Sequence, residues 1–257
     1  MVRLLETKNL TKIFGGLTAV NAVDFHVDEG EIVSLIGPNG AGKTTFFNLV
    51  TGIYEPTEGE VNFLEKSIVG EKTYKITRLG IGRTFQNIRL FNTMSVFENV
   101  LLGQHCRGKS NIFNTLLGTK SVKEEERLAR EKAFELLEFV GLYDKRDEIA
   151  TSLPYGHQRR VEIARALATD PKVILLDEPA AGMNTGEKRE MEKFIHKIRE
   201  SGYTVILIEH DIKLVMSVSD RVVVLDYGNK IADGTPSEVQ QNEKVISAYL
   251  GGGEKDA

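Results

Sequence analysis

A chain of 257 residues, 41% hydrophobic and 27% charged, suits one large soluble domain or one domain carrying an inserted lobe. A formal net charge of −4 leaves no basic footprint for nucleic acid, and a single cysteine, Cys106, excludes an intrachain disulfide and fits a reducing compartment. No apolar run reaches the roughly 18 residues of a membrane span, and the opening MVRLLETKNL lacks a signal peptide's apolar stretch, so a cytosolic protein able to dock on a membrane protein is expected.

Leu4 to Leu10 and Ala22 to Val27 read as strands of a β-rich start. Between them Phe14 has two places open to it, stacking on a purine ring or packing in the core. Glu31 to Ile36 (EIVSLI) is a short apolar run, read as a buried strand. Gly37-Pro38-Asn39-Gly40-Ala41-Gly42-Lys43-Thr44-Thr45 follows and fits the phosphate-loop spacing of Gly, four residues, Gly, Lys, then Ser or Thr. Gly37, Gly40 and Gly42 let backbone N–H groups approach an anion, and the helix read from Thr44 to Thr51 points its positive N-terminus at it. Lys43 is expected to reach the β- and γ-phosphates of a nucleotide and the Thr44 hydroxyl to hold Mg²⁺.

After the turn Glu55 to Gly59, Glu60 to Leu64 reads as a further strand. Gln86 follows a short β-like run, where its amide can serve a metal or a water. Ser95 and Glu98 are spaced as a capping box, as are Ser121 and Glu124. Cys106 to Lys120 reads as a polar loop with a short helical piece. Ala133, Leu136, Leu137 and Val140 recur at helical spacing, and Gly141 ends that helix. With no strand signal from about Gln86 to Arg159, the middle of the chain reads as a helical lobe inserted into an α/β core. Val161 to Ala168 continues a helix that Asp170-Pro171 stops. Lys172 to Asp177 (KVILLD) and Thr204 to Glu209 (TVILIE) read as buried strands, with a helix from Glu187 to Ser201 between them. Arg221 to Asp226 and Lys230 to Asp233 suggest a hairpin around Gly228-Asn229.

Ligands of open α/β sheets bind at the carboxyl ends of strands. Asp177 ends an apolar run, as expected of a Mg²⁺-holding aspartate. Glu178 beside it is placed to polarise a water for attack on a γ-phosphate, and His210 to contact that phosphate.

With Ser152-Leu153-Pro154-Tyr155-Gly156-His157-Gln158-Arg159-Arg160 added, nearly the whole chain resembles the ATP-binding subunit of ABC transporters. The resemblance implies a P-loop NTPase of the ABC ATPase type, with an N-terminal antiparallel β subdomain and an inserted helical subdomain. The core would take residues 1–86 and 160–235, the helical signature subdomain 87–159, and a helical tail 236–257. It implies Phe14 as the adenine-stacking aromatic, Gly37 to Thr45 as Walker A and Gln86 as the Q-loop glutamine. Asp177 becomes the Walker B aspartate, Glu178 the catalytic glutamate and His210 the switch histidine. ATP and Mg²⁺ are the implied cofactors. The implied partners are polytopic membrane permease subunits, a second ATPase subunit, identical or a paralogue, and indirectly a periplasmic or extracellular solute-binding protein. The implied place is the cytoplasmic face of the membrane.

In such proteins two subunits sandwich two ATP molecules, the signature loop of each facing the phosphates held by the other. Here Leu153 and Gly156 match the common Leu-Ser-Gly-Gly-Gln loop, whereas Pro154, Tyr155 and His157 depart from it, and Asn184 stands where many members have Asp. Pro154 has neither hydroxyl nor N–H to offer a phosphate. Within the superfamily, Phe14 to Val20, Arg83 to Asn87, Leu153 to Gly156 and Ala180 to Asn184 most resemble the LivG-type ATPase of branched-chain amino acid importers. The polar insert from Gly103 to Ser121 points the same way. Urea-importer and lipopolysaccharide-export ATPases are close alternatives. A ribosome- or nucleic-acid-associated ABC protein is disfavoured by the single cassette and the lack of heptads or a basic stripe. Ile88, Leu90, Phe91 and Met94 after Gln86 either fill the core of the helical lobe or line the groove that receives a permease helix in similar proteins.

Overall fold

The structure is a computed structural model whose described residues are 2–106 and 120–250. Most of the loop expected between Cys106 and Lys120, and the tail from Gly251, lie outside them. The chain forms two compact units, one from the residues up to Ile76 and from Lys172 onward, the other from Thr77 to Pro171.

The first unit opens with a hairpin, β1 (Arg3–Phe14) and β2 (Leu17–Asp28), longer at both ends than the expected strands. Pairing with β2 continues past Leu10, through Lys12 with Val20, Ile13 with Thr18 and Phe14 with Leu17, and the chain reverses only at Gly15-Gly16, whose positive φ values of 51° and 94° cost glycine little. The fully buried β3 (Ile32–Ile36) then feeds α1 (Lys43–Val50). β4 (Glu58–Phe63) and β5 (Lys66–Ser67) return to complete an antiparallel sheet of order β2-β1-β4-β5. Helix α2 (Thr73–Leu79) leads out of the unit.

The second unit holds β6 (Ile81–Arg83), α3 (Val96–His105), α4 (Lys120–Phe139) and α5 (Tyr155–Leu167). The Ser95–Glu98 capping box forms: Glu98 N donates to Ser95 Oγ at 3.1 Å and Ser95 N to Glu98 Oε2 at 2.7 Å. The second expected box does not cap a helix, because Ser121 and Glu124 both lie inside α4. Ala133, Leu136, Leu137 and Val140 are buried, as their spacing predicts. Helix α5 starts at Tyr155. Pro154 is its N-cap and needs no N–H there, while its carbonyl accepts from His157 N at 2.9 Å and Gln158 N at 3.0 Å.

Arg159, 0% exposed, organises this unit. It donates to Glu162 Oε2 and Phe85 O, each at 2.7 Å, to Gln86 O at 2.8 Å and to Tyr155 Oη at 3.2 Å. Glu162 in turn accepts from Phe85 N at 3.2 Å. Burial pushes the Glu162 carboxyl pKa up, against the pull of Arg159 and the Phe85 N–H.

The chain re-enters the first unit with β7 (Val173–Asp177), α6 (Thr185–Glu200), β8 (Thr204–Ile208) and α7 (Ile212–Val218). β9 (Arg221–Asp226), β10 (Asn229–Gly234), α8 (Pro236–Gln240) and α9 (Glu243–Leu250) complete it. The strands of this part run β10-β9-β3-β8-β7, parallel except for the β9–β10 hairpin. That hairpin turns at Tyr227-Gly228, a residue earlier than expected. Both carry positive φ, 43° and 80°, the sign a type I′ turn requires. Ile36 joins Val215, Val222, Val224, Val239 and Val245 in one buried cluster, so the strand feeding α1 is packed against α7, α8 and α9. Among the described residues no helix is long and apolar enough to cross a membrane.

Removing Arg159 would strand the Glu162 carboxylate in the interior. Arg159→Met is expected to lower stability by about 3–5 kcal/mol, with the double variant Arg159→Met/Glu162→Leu recovering a large part of the loss; urea titration of the three proteins checks this.

Candidate active site

Register brings three loops of the first unit to one edge. Ile208 of β8 pairs with Leu35 of β3 on one side and with Asp177 of β7 on the other. The segments beginning at Gly37, Glu178 and Glu209 therefore leave the sheet side by side at its carboxyl end.

The loop from Gly37 to Gly42 is held from outside. A Cβ at Gly37 would come within 2.1 Å of Leu225 O, and one at Gly42, the N-cap of α1, within 2.3 Å of Ala19 O. Gly228 N also donates to Ala41 O at 3.0 Å. This tight backbone leaves the first-turn N–H groups of α1 without intrahelical acceptors, the arrangement that favours an anion. Pro38 and Thr45 are half-buried, Ala41 buried, and Asn39, Gly40 and Thr44 exposed. Lys43 is buried at 7% exposure, its ammonium donating to Gly37 O at 2.7 Å and Pro38 O at 2.9 Å. Burial pushes its pKa down, opposed by the nearby carboxylates of Glu178 and Asp177. One cation thus faces both carboxylates across the strand edge.

Asp177 is buried and ends β7. Glu178 follows at φ 48°, a left-handed conformation that costs a non-glycine residue about 1–2 kcal/mol and that re-aims its side chain. Its N–H donates to Ile208 O at 2.9 Å. Its Oε1 lies 2.6 Å from His210 Nε2. The structure thus brings Lys43, Asp177, Glu178 and His210 together. A hydroxyl at Thr44 and a carboxylate at Asp177 are hard oxygen donors of the kind Mg²⁺ takes, the remainder coming from phosphates and waters.

The sequence marks Glu209 only as the end of a strand. It is 4% exposed and accepts from Ala180 N at 2.7 Å and from His210 N at 3.1 Å. Burial pushes its pKa up and the neighbouring Glu178 adds to that, while hydrogen bonds from the Ala180, His210 and Asp211 backbones oppose it. The signal was present in TVILIE, an apolar run ending in a carboxylate like that before Asp177. Asn184 does not stand free: its Oδ1 caps α6, accepting from Gly186 N at 2.9 Å and Glu187 N at 3.0 Å.

Phe14 ends β1 at 39% exposure, with the Tyr54 ring edge-on at 5.2 Å and Lys12 Nζ 5.1 Å from its centroid. It is a supported, solvent-facing ring rather than a core residue.

In the second unit, Gln86 is exposed and its carbonyl is fixed by Arg159. Leu153 is buried, Tyr155 exposed, and Gly156 and His157 half-buried at the start of α5. Gln158 Nε2 ties the preceding turn by donating to Leu153 O at 2.8 Å and Thr151 O at 3.1 Å. Phe91 is 51% exposed, while Ile88, Leu90 and Met94 are half-buried. Buried Asn99 pins the Phe91 segment, its Oδ1 accepting from Phe91 N at 2.9 Å and its amide donating to Phe91 O at 3.3 Å and Ser95 O at 3.0 Å. Neither Arg159 nor Asn99 had been singled out from the sequence.

Comparison with known proteins agrees with this geometry. The family profile described as "ABC transporter" matches residues 20–181, and one described as "Branched-chain amino acid ATP-binding cassette transporter" matches residues 229–255. The chain is 49% identical to the high-affinity branched-chain amino acid transport ATP-binding protein BraF of Pseudomonas aeruginosa, and 47% identical to LivG of Salmonella typhimurium. Each alignment covers 96% of this chain and 98% of the relative. A crystal structure of the ADP conformation of an ATP-binding cassette of an ABC transporter superposes with a TM-score of 0.85 at 36% identity, covering 98% of this chain and 100% of that one. Phosphate loop, aligned carboxylates, histidine and relatives converge on one conclusion: the chain belongs to the ABC transporter family, as one of its ATP-binding cassettes.

Proposed function

We propose that this chain is the ATP-hydrolysing motor subunit of an importer for branched-chain, hydrophobic amino acids, energising a separate membrane permease from its cytoplasmic face. The observation that carries the hydrolytic reading is the 2.6 Å contact between Glu178 Oε1 and His210 Nε2 at the strand edge that also presents Lys43. The cargo rests on the relatives' names and on the second profile at residues 229–255.

In this reading Gly37 to Thr45 cradle the phosphates, Lys43 offsets their charge and Phe14 stacks on adenine. Thr44 and Asp177 would hold Mg²⁺, with Gln86 as the sensing amide, and the ion would supply charge neutralisation for the phosphates. Glu178 accepts the proton of the attacking water. His210 orients that carboxylate and reaches the γ-phosphate. Leu153, Tyr155, Gly156 and His157 serve the ATP of a second ATPase subunit, so nucleotide occupancy and dimerisation are linked. The first unit serves as the ATP-binding core, ending in the tail from residue 236, and the second unit, Thr77 to Pro171, as the helical signature subdomain, wider than the expected 87–159 because β6 and the whole of α5 belong to it. Phe91, turned outward by Asn99, belongs to the groove for a permease helix. A solute-binding protein delivers the cargo to that permease.

Glu178→Gln keeps the shape but cannot take the proton. Its turnover is expected to fall about 10²-fold or more, with Mg-ATP binding retained and an ATP-bound dimer accumulating on gel filtration. Near wild-type phosphate release would remove Glu178 from the chemistry. Phe91→Ser, at an exposed position, should leave the melting temperature and ATP affinity of the isolated subunit unchanged, yet uncouple transport in vesicles carrying the whole complex. Undiminished amino-acid uptake by that variant would refute the docking role.

A further inference from the structure

Glu209 carries a buried carboxylate at the strand edge for which the ATPase reading has no task. Its two oxygens serve two different loops. Oε1 accepts from Ala180 N, at the start of the segment that runs to the α6 cap at Asn184. Oε2 accepts from the N–H of His210 itself. A second tie runs parallel to the first: Lys188 of α6 meets Asp211 Oδ2 at 2.7 Å, and Asp211 Oδ1 caps α7. Beside the Glu178–His210 contact, the segment after β7 and the segment after β8 are therefore joined by two further ties, a buried carboxylate and a partly exposed ion pair.

We propose that Glu209 is a positioning residue that couples the Ala180–Asn184 segment to His210, fixing the backbone from which the imidazole meets Glu178 and, with ATP bound, the γ-phosphate. The proposal rests on the ATPase reading of His210. Glu209 is not a second base, since both its oxygens are occupied by backbone N–H groups and His210 Nε2 already meets Glu178. Backbone donors of Ala180, His210 and Asp211 converge on Glu209, and they need both oxygens as acceptors. A glutamine supplies one oxygen and turns an NH₂ toward the other donor, which breaks the tie without changing side-chain volume. A movement of the Ala180–Asn184 segment would then lose its route to His210 through Glu209. ADP has no γ-phosphate, so its binding does not depend on where the imidazole sits.

The test measures the affinities of Mg²⁺ with a non-hydrolysable ATP analogue and with ADP by calorimetry, for the wild type, Glu209→Gln, His210→Ala and the double variant. Glu209→Gln is expected to weaken the analogue about tenfold, the scale of one hydrogen bond to a charged group, and to leave ADP within about twofold. The double variant should bind the analogue no worse than His210→Ala alone. Equal losses for analogue and ADP would mean a merely structural role and overturn the proposal. So would no loss at all, or an additive loss in the double variant. An effect of His210→Ala without one of Glu209→Gln overturns the coupling alone. No effect of His210→Ala on the analogue removes the histidine's γ-phosphate contact and the coupling with it. Backbone amide exchange on the unaltered protein gives a check that no variant's folding can confuse: the Ala180 and His210 amides should exchange slowly and alike, and fast exchange at either overturns the tie.

Discussion

Ile208 pairs in register with Leu35 on one side and Asp177 on the other, and this pairing of three parallel strands underlies the rest of the site. Because the strands end level, a phosphate loop, an acidic pair and a histidine from distant parts of the chain emerge as neighbours. A slip of one residue in any of them would turn its side chains to the opposite face. The strands are held in place by burial: β3, β7 and β8 are buried along their whole length, and the Ile36 cluster packs the strand end against α7 to α9.

Charges that the fold buries near this edge are met by nearby carbonyls, carboxylates or backbone N–H groups. Lys43 is buried, its positive charge met by two loop carbonyls and the nearby carboxylates. Glu209 is buried, its negative charge met by backbone N–H groups from the two segments beside it. Arg159 and Glu162 do the same in the second unit, where they fix the backbone of Phe85 and Gln86. In an interior of low dielectric, losing one partner of such a set costs more than the set contributes while intact. These residues therefore hold geometry more than they add stability.

Much of this was readable beforehand. The phosphate-loop spacing, the apolar runs ending at Asp177 and Glu209, and the Ser95 capping box are local patterns, and local patterns survive in a one-dimensional string. Arg159 and Glu162 were not readable as a buried pair, because a charged residue at helical spacing looks solvent-facing until the Phe85–Gln86 backbone arrives opposite it. Asn184 stands out in the sequence only as a departure from the family's Asp, although Glu187 three residues on carries the capping-box spacing that the structure uses. Ser121 and Glu124 show the converse, the same spacing falling inside a helix.

By itself the sequence determined the α/β alternation, the phosphate loop, the family and the residue types offered to a nucleotide, since all of these are set by neighbours in the chain. Only the tertiary structure decided that Glu178 would take a left-handed turn toward His210, that Phe14 and Phe91 would face outward, and that Glu209 would bind backbone. Each depends on where a segment remote in sequence presents its N–H groups or its bulk, and strand register and helix packing fix that only once the chain has folded.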